Sequence, residues 1–137
     1  MASELQWMLL RNSNSFLVRR DGIAFSREPS NPARMHCYKY CGLAQPKAVS
    51  VTAVPEGVVV ARRSTKVPAN KVADRTKVYV IKKGADAGVR AAKVGRDLQA
   101  SGYRLDIARA VQARVSAYLL AAKTRKAAKK TSRVAKN

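Results

Sequence analysis

SFLVRRDGIAFSR, residues 15–27, is the stretch on which the reading of the fold turns. Two short runs of strand formers, SFLVRR and IAFSR, flank Asp21-Gly22, and an Asp-Gly pair accepts the two positive φ angles of a type I′ turn. An antiparallel β-hairpin is therefore predicted. Working outward, residues 48–54 and 57–63 alternate or run in valine on either side of Pro55-Glu56-Gly57, which predicts a second hairpin. Further strands are expected over residues 37–43 and at KVYVIK, residues 77–82, the latter ended by Lys83-Gly84. EPSNP (28–32) reads as a loop because its two prolines remove backbone donors, and RRSTKVPAN (62–70) reads as an exposed one.

Helices are expected at both ends. Ser3 followed by Gln6 is a capping-box spacing ahead of Leu5, Trp7, Met8, Leu9 and Leu10, so a short buried helix is predicted with Trp7 in the core. Residues 85–100 are rich in helix formers, but their apolar face is thin (Val89, Ala92, Val94, Leu98) and Gly88 and Gly95 weaken it. Ser101-Gly102 closes that helix. A second begins near Asp106, whose charge suits a first turn, and Ile107, Val111, Val115, Tyr118 and Ala122 form one apolar stripe along it. The fold class is α+β: a small antiparallel sheet of two hairpins with a short N-terminal helix, followed by two C-terminal helices and a basic tail. The organisation expected is a small α+β body (1–63), a basic loop or extra strand (64–84), C-terminal helices packing on the body (85–122), and a basic tail (123–137) too poor in large apolar groups to order without a partner.

The chain has 137 residues, with 28 Lys and Arg against 8 Asp and Glu, a net charge of +20. Self-repulsion on that scale calls for an acidic partner, and a polyanion gains from releasing its counterions. Residues 1–61 carry only +3 of the total, and residues 62–137 carry +17. Although 47% of residues are apolar, 23 of them are alanines, enough for one modest core. No apolar run approaches the ~18 residues of a membrane span. With Glu4 early and Arg11 the first basic residue, the start does not read as a targeting peptide, and cytosolic or nuclear residence is expected.

Catalysis finds no support. His36 has no partner set by a recognisable motif, no phosphate-cradling glycine pattern occurs, and the acids of the front half are isolated from one another. His36, Cys37 and Cys41 fall short of the four ligands of a structural zinc site, so the cysteines are expected as two small apolar residues on one strand face. No metal, cofactor or small-molecule substrate is expected, nor a membrane.

Basic clusters at Arg19-Arg20, Arg62-Arg63, Lys82-Lys83 and along the final fifteen residues (Lys123, Arg125, Lys126, Lys129, Lys130 among them) suit adjacent phosphates. Arg109 lies off the apolar stripe of its helix and is expected to face outward. Tyr38, Lys39 and Tyr40 alternate aromatic with basic: facing outward the tyrosines would stack on unpaired bases, facing inward they would join the core. Dispersal over loops, strands and a tail favours an irregular folded RNA over DNA, with a histone-like DNA-binding role the rival.

LQWMLLRNSNSFLVRR (5–20), EPSN (28–31), YKYCGL (38–43), GVVVARR (57–63) and YRLDIARAVQARVSAYL (103–119) resemble, in order and spacing, the eukaryotic large-subunit ribosomal protein family numbered twenty-eight. In the last of these, Tyr103, Arg104, Asp106, Arg114, Ser116, Ala117 and Leu119 match, whereas Leu105 stands where the family usually has proline. Residues 64–99 match poorly. The resemblance implies a structural constituent of the cytosolic large ribosomal subunit that binds ribosomal RNA and neighbouring ribosomal proteins, with transient nucleolar passage during assembly. A ribosome-biogenesis factor with a related domain is the alternative, and its acidic continuation contrasts with the basic end here. By the same resemblance, Arg11, Asn12, Arg19, Arg20, Tyr38, Lys39, Arg62, Arg63, Arg104 and Arg114 are expected to touch RNA. Asn12 competes as a helix C-terminal turn residue, and Arg104 with Asp106 as a helix cap.

Overall fold

The computed structural model describes residues 3–68, 70–82, 84 and 86–134, with side chains described up to Ala122 apart from that of Ala87. In chain order the elements are α1 (Ser3–Leu10), β1 (Leu17–Arg20), β2 (Ile23–Ser26), β3 (Val49–Val54), β4 (Gly57–Arg63), α2 (Val72–Arg75), β5 (Thr76–Lys82), α3 (Ala87–Ala100) and α4 (Leu105–Val134). The class is α+β, as expected, but the strands form two antiparallel sheets: β1-β2, and β3-β4-β5. Asp21 (φ 48°) and Gly22 (φ 77°) take the two left-handed positions that the Asp-Gly reading requires, and Arg20 pairs with Ile23. The second hairpin closes at Val54 and Gly57, and β5 then pairs along all of β4, from Gly57 opposite Lys82 to Arg63 opposite Thr76.

Alternation in this larger sheet sends Val49 and Val51 of β3 and Val58 and Val60 of β4 to one face. That face, fully buried, packs against Ala91 and Leu98 of α3 and Ile107, Ala108, Val111, Val115 and Leu119 of α4. The stripe predicted for the last helix is thus largely correct, rotated so that Ala108 and Leu119 share the buried side with Val111 and Val115 while Tyr118 is only partly covered. On α3 the expected face rotates too, because Val89 is exposed and the buried positions are Ala91, Gly95 and Leu98. Gly95 weakens helix propensity but lets the two helices approach: a Cβ there would lie 2.8 Å from Gln112 Oε1.

Three expectations are corrected. Residues 37–43 are not a strand. Tyr40 N donates to Cys37 O at 3.2 Å, Cys41 N to Cys37 O at 3.1 Å and Gln45 N to Cys41 O at 3.1 Å, which are the bonds of successive tight turns. The period of the apolar positions explains this: Cys37, Cys41 and Ala44 recur at helical spacing, and Cys41 and Ala44 are buried. The two cysteines therefore lie one turn apart instead of sharing a strand face, and Tyr38 and Tyr40 have no common face. Secondly, α1 is not buried; Leu5, Met8 and Leu9 are exposed, and no residue of the helix is fully covered. Trp7 is half-buried, its ring 5.0 Å from His36 and 6.0 Å from Tyr38, so it clamps the helix to the 35–40 segment and not to the main core. Ser3 Oγ bonds Tyr38 Oη at 2.9 Å, a partner 35 residues away, in place of the local box. Thirdly, the first hairpin is outside the main sheet, and an isolated bridge between Phe25 and Met35 joins it to the loop behind it.

That loop is a polar knot built from EPSNP. Glu28 is 2% exposed and Asn31 3%. Ser30 Oγ donates to Glu28 Oε1 at 2.5 Å; Asn31 donates to Met35 O at 2.8 Å and accepts from Arg34 N at 2.8 Å. Each buried polar group found here answers another, as burial requires. No helix among the described residues is long and apolar enough to cross a membrane.

Candidate nucleic-acid interface

A chain of +20 has little internal acid with which to pair its cations, and among the described residues Arg104–Asp106 is the one salt bridge. Which cations are spent inside the molecule and which face solvent then defines the interface.

Arg104 is spent. Held at φ 49° in the turn before α4, it makes a two-pronged bond to Asp106 (2.9 and 2.8 Å), and also donates to Lys47 O at 3.0 Å and Lys39 O at 2.6 Å. These hydrogen bonds hold the Asp106 carboxyl below its ordinary value. Arg114 Nε donates to Pro32 O at 2.8 Å, with its guanidinium 5.5 Å from the Tyr118 ring centre, which fastens the EPSNP loop to α4. Arg62 and Arg63, neighbours on β4, point to opposite faces. Arg63 donates to Gly42 O at 2.9 Å and Gln45 O at 3.3 Å; Arg62 donates to Ser101 Oγ at 3.2 Å and lies between the rings of Tyr103 (5.1 Å) and Tyr79 (5.9 Å). Tyr103 in turn donates its hydroxyl to Arg63 O, 2.5 Å away, with Ala48 O at 3.2 Å, and burial pushes its ionisation upward. Tyr38 also faces inward, toward Ser3 and Trp7.

Of the residues expected to touch RNA, the described cations that face solvent are Arg11, Arg19, Arg20, Lys39, Lys82 and Arg109; Arg27, Arg34, Lys47, Lys66, Lys71, Lys77, Lys93 and Arg96 are exposed as well. Arg19 and Arg20 sit at the tip of the first hairpin, Arg11 with Asn12 in the exposed turn after α1, and Lys39 above the Tyr40 ring at 5.4 Å. Arg109 is on the outer side of α4. Lys83 and the side chains of Lys123, Arg125, Lys126, Lys129 and Lys130 lie outside the described residues, although the backbone of α4 continues helical to Val134.

One concave feature went unread in the sequence. The helices cover β3 and β4 but leave the inner face of β5 half open, so a groove of about 750 Å³ runs between β5 and α3. Val60, Ile81, Val94 and Leu98 make its floor, Tyr79 and Arg62 one wall, and Lys82, Arg90 and Lys93 its rim, with Asp97 the single carboxylate in the lining. Adjoining it across Arg62 and Ser101 is a smaller polar hollow of about 330 Å³ that includes Lys47, Lys66, Lys77 and Tyr103 and no acid. The only sequence signal for this site was the alternation of Lys77, Tyr79 and Ile81, which places them on one strand face; which strand would pair beside them was not readable.

A small α+β body that spends several arginines on its own loops and displays most of its other described cations to solvent defines the class as a small basic α+β protein. The Ribosomal L28e protein family matches over residues 5–121, and the chain belongs to that family. Among its relatives, the large ribosomal subunit protein eL28 of Schizosaccharomyces pombe is 33% identical over 130 residues, spanning 92% of this chain and 96% of the relative. Those of Caenorhabditis elegans (38% identical, 48% of this chain and 54% of the relative) and Trypanosoma cruzi (28%, 72% and 64%) are also similar.

Proposed function

We propose that the chain is a structural constituent of the large ribosomal subunit that binds ribosomal RNA through dispersed Lys and Arg contacts to phosphate. The observation that carries this is the family match over residues 5–121. Charge supports the RNA part of the reading: eight acids stand against 28 Lys and Arg, and one salt bridge forms among the described residues, so the exposed cations need phosphate to complete them. The mechanism is positioning. The internal arginines fix the loops, the core fixes the sheet and helices, and the exposed cations then meet phosphates at set separations, with little reading of base sequence. Neighbouring ribosomal proteins are further partners, and the cytoplasm is the working location after assembly in the nucleolus.

Quantifying the chain in salt-washed mature large subunits, with and without ribonuclease, tests this. Stoichiometric retention that ribonuclease abolishes is expected. Presence only in precursor particles would identify an assembly factor instead, and co-purification with DNA that survives ribonuclease would identify a chromatin protein.

A further inference from the structure

We propose that the groove between β5 and α3 holds an unpaired nucleotide of RNA, its base on the apolar floor against Tyr79 and its phosphate over the adjoining basic hollow. The inference rests on the RNA-binding reading above and assigns it a specific site. Two observations select this occupant. The groove floor is aliphatic, built from Val60, Ile81, Val94 and Leu98, and beside it stands Tyr79, 49% exposed, with the Arg62 guanidinium already 5.9 Å from its ring centre. A flat heteroaromatic base fits such a slot: it can stack on a tyrosine face and a guanidinium plane together, and it buries the exposed apolar surface.

The second observation is charge. Lys82, Arg90 and Lys93 edge the groove against Asp97 alone, and the hollow across Arg62 adds Lys47, Lys66 and Lys77 with no acid. An apolar peptide would gain nothing from that rim and would desolvate it, at a cost. A nucleotide answers both halves, because its apolar and anionic parts are joined through one sugar and Arg62 stands between the two hollows. The volume suits extended single-stranded RNA with one or two bases inserted, whereas the base faces of a duplex are stacked on each other and unavailable. Arg90 is already oriented, its Nη1 donating to Lys82 O at 2.6 Å, which leaves the rest of the guanidinium for the ligand.

The test compares the full chain with Tyr79→Ala and Tyr79→Phe, measuring affinity for a short single-stranded RNA and for a blunt RNA duplex at equal salt. Tyr79→Ala should weaken single-strand binding by about fivefold or more, the lower end of a lost base–aromatic stack, and leave the duplex unchanged. Tyr79→Phe should behave as the unmodified chain, since the face and not the hydroxyl is used. If the unmodified chain binds RNA and Tyr79→Ala binds both forms equally well, the groove assignment is overturned while the ribosomal reading stands. If the unmodified chain binds neither form, the RNA-binding reading itself falls. Ultraviolet cross-linking of purified large subunits provides an independent readout, with a nucleotide adduct expected on the tryptic peptide 78–82. Lysine cross-links from Lys82 and Lys93 to another protein, with no such adduct, would put a protein segment in the groove and refute the inference.

Discussion

Replacing Arg104 by alanine should cost folding stability and leave RNA affinity nearly unchanged. The side chain is 13% exposed and ties three segments together: the turn at Lys39, the turn at Lys47 and the first turn of α4. Each hydrogen bond from a charged donor contributes about 1.5 kcal/mol at the low end suited to a partly solvated site. The half-exposed Asp106 pair adds no more than ~1 kcal/mol. Allowing for solvent replacing some of these bonds, Arg104→Ala is expected to cost about 2–4 kcal/mol. Backbone conformation supplies an internal control. At φ 49° any residue with a Cβ carries the left-handed cost, so Arg104→Gly should be more stable than Arg104→Ala by about 1 kcal/mol despite lacking the same side chain. Urea denaturation followed by fluorescence of Trp7, the single tryptophan, measures both values. A stability change below about 0.5 kcal/mol, joined to a clear loss of RNA affinity, would refute the argument and make Arg104 a phosphate contact.

Acid should expose the same pair. Asp106 is held below its ordinary 3.8 by Arg104, so its contribution is present above that value and lost as the pH falls through the lower folded value; Asp106→Asn should flatten this limb of the pH–stability curve. At the alkaline end, burial raises Tyr103 above 10.0, so the stability it supplies is complete below pH 10 and lost as the pH rises toward the folded value. Tyr103→Phe should remove that dependence and cost about 1 kcal/mol at neutral pH, read by the same denaturation. In the core, Val111→Ala, at a position with no exposure, should cost about 2 kcal/mol, whereas Val89→Ala on the outer side of α3 should change stability by under about 0.5 kcal/mol. With a thiol reagent, Cys37 should react well before Cys41, which is 2% exposed and whose thiol burial pushes up; equal rates would contradict the turn geometry around them.

How much of this was legible in sequence depended on whether the signal was local. Asp21-Gly22 demands its own turn, and Ile107, Val111 and Val115 mark their own helix face, so both were readable without knowing the rest of the chain. Residues 37–43 misled because a tyrosine–lysine–tyrosine alternation resembles a strand, while Cys37, Cys41 and Ala44 carry the competing helical spacing, and that spacing won. The capping-box reading of Ser3 failed for a different reason: its hydroxyl found Tyr38, a partner no local pattern reveals. The family resemblance pointed to the right motifs, but residue type does not separate an arginine that reaches solvent from one that fastens a loop. Arg63, Arg104 and Arg114 bond backbone carbonyls 18 to 82 residues away, and only the folded chain discloses that. The β5–α3 groove was hidden for the same reason, since Tyr79 and Arg90 are brought together by a sheet order that periodicity does not encode.

The salt dependence of affinity for purified large-subunit ribosomal RNA tests the central claim most directly. Six of the cations expected to touch RNA are described and face solvent, Arg11, Arg19, Arg20, Lys39, Lys82 and Arg109. At about 0.7 released counterions per phosphate contact they predict a log–log slope of about −4, steeper still with the basic end of α4 engaged. A nearly flat dependence would contradict the account, because binding would then rest on something other than phosphate.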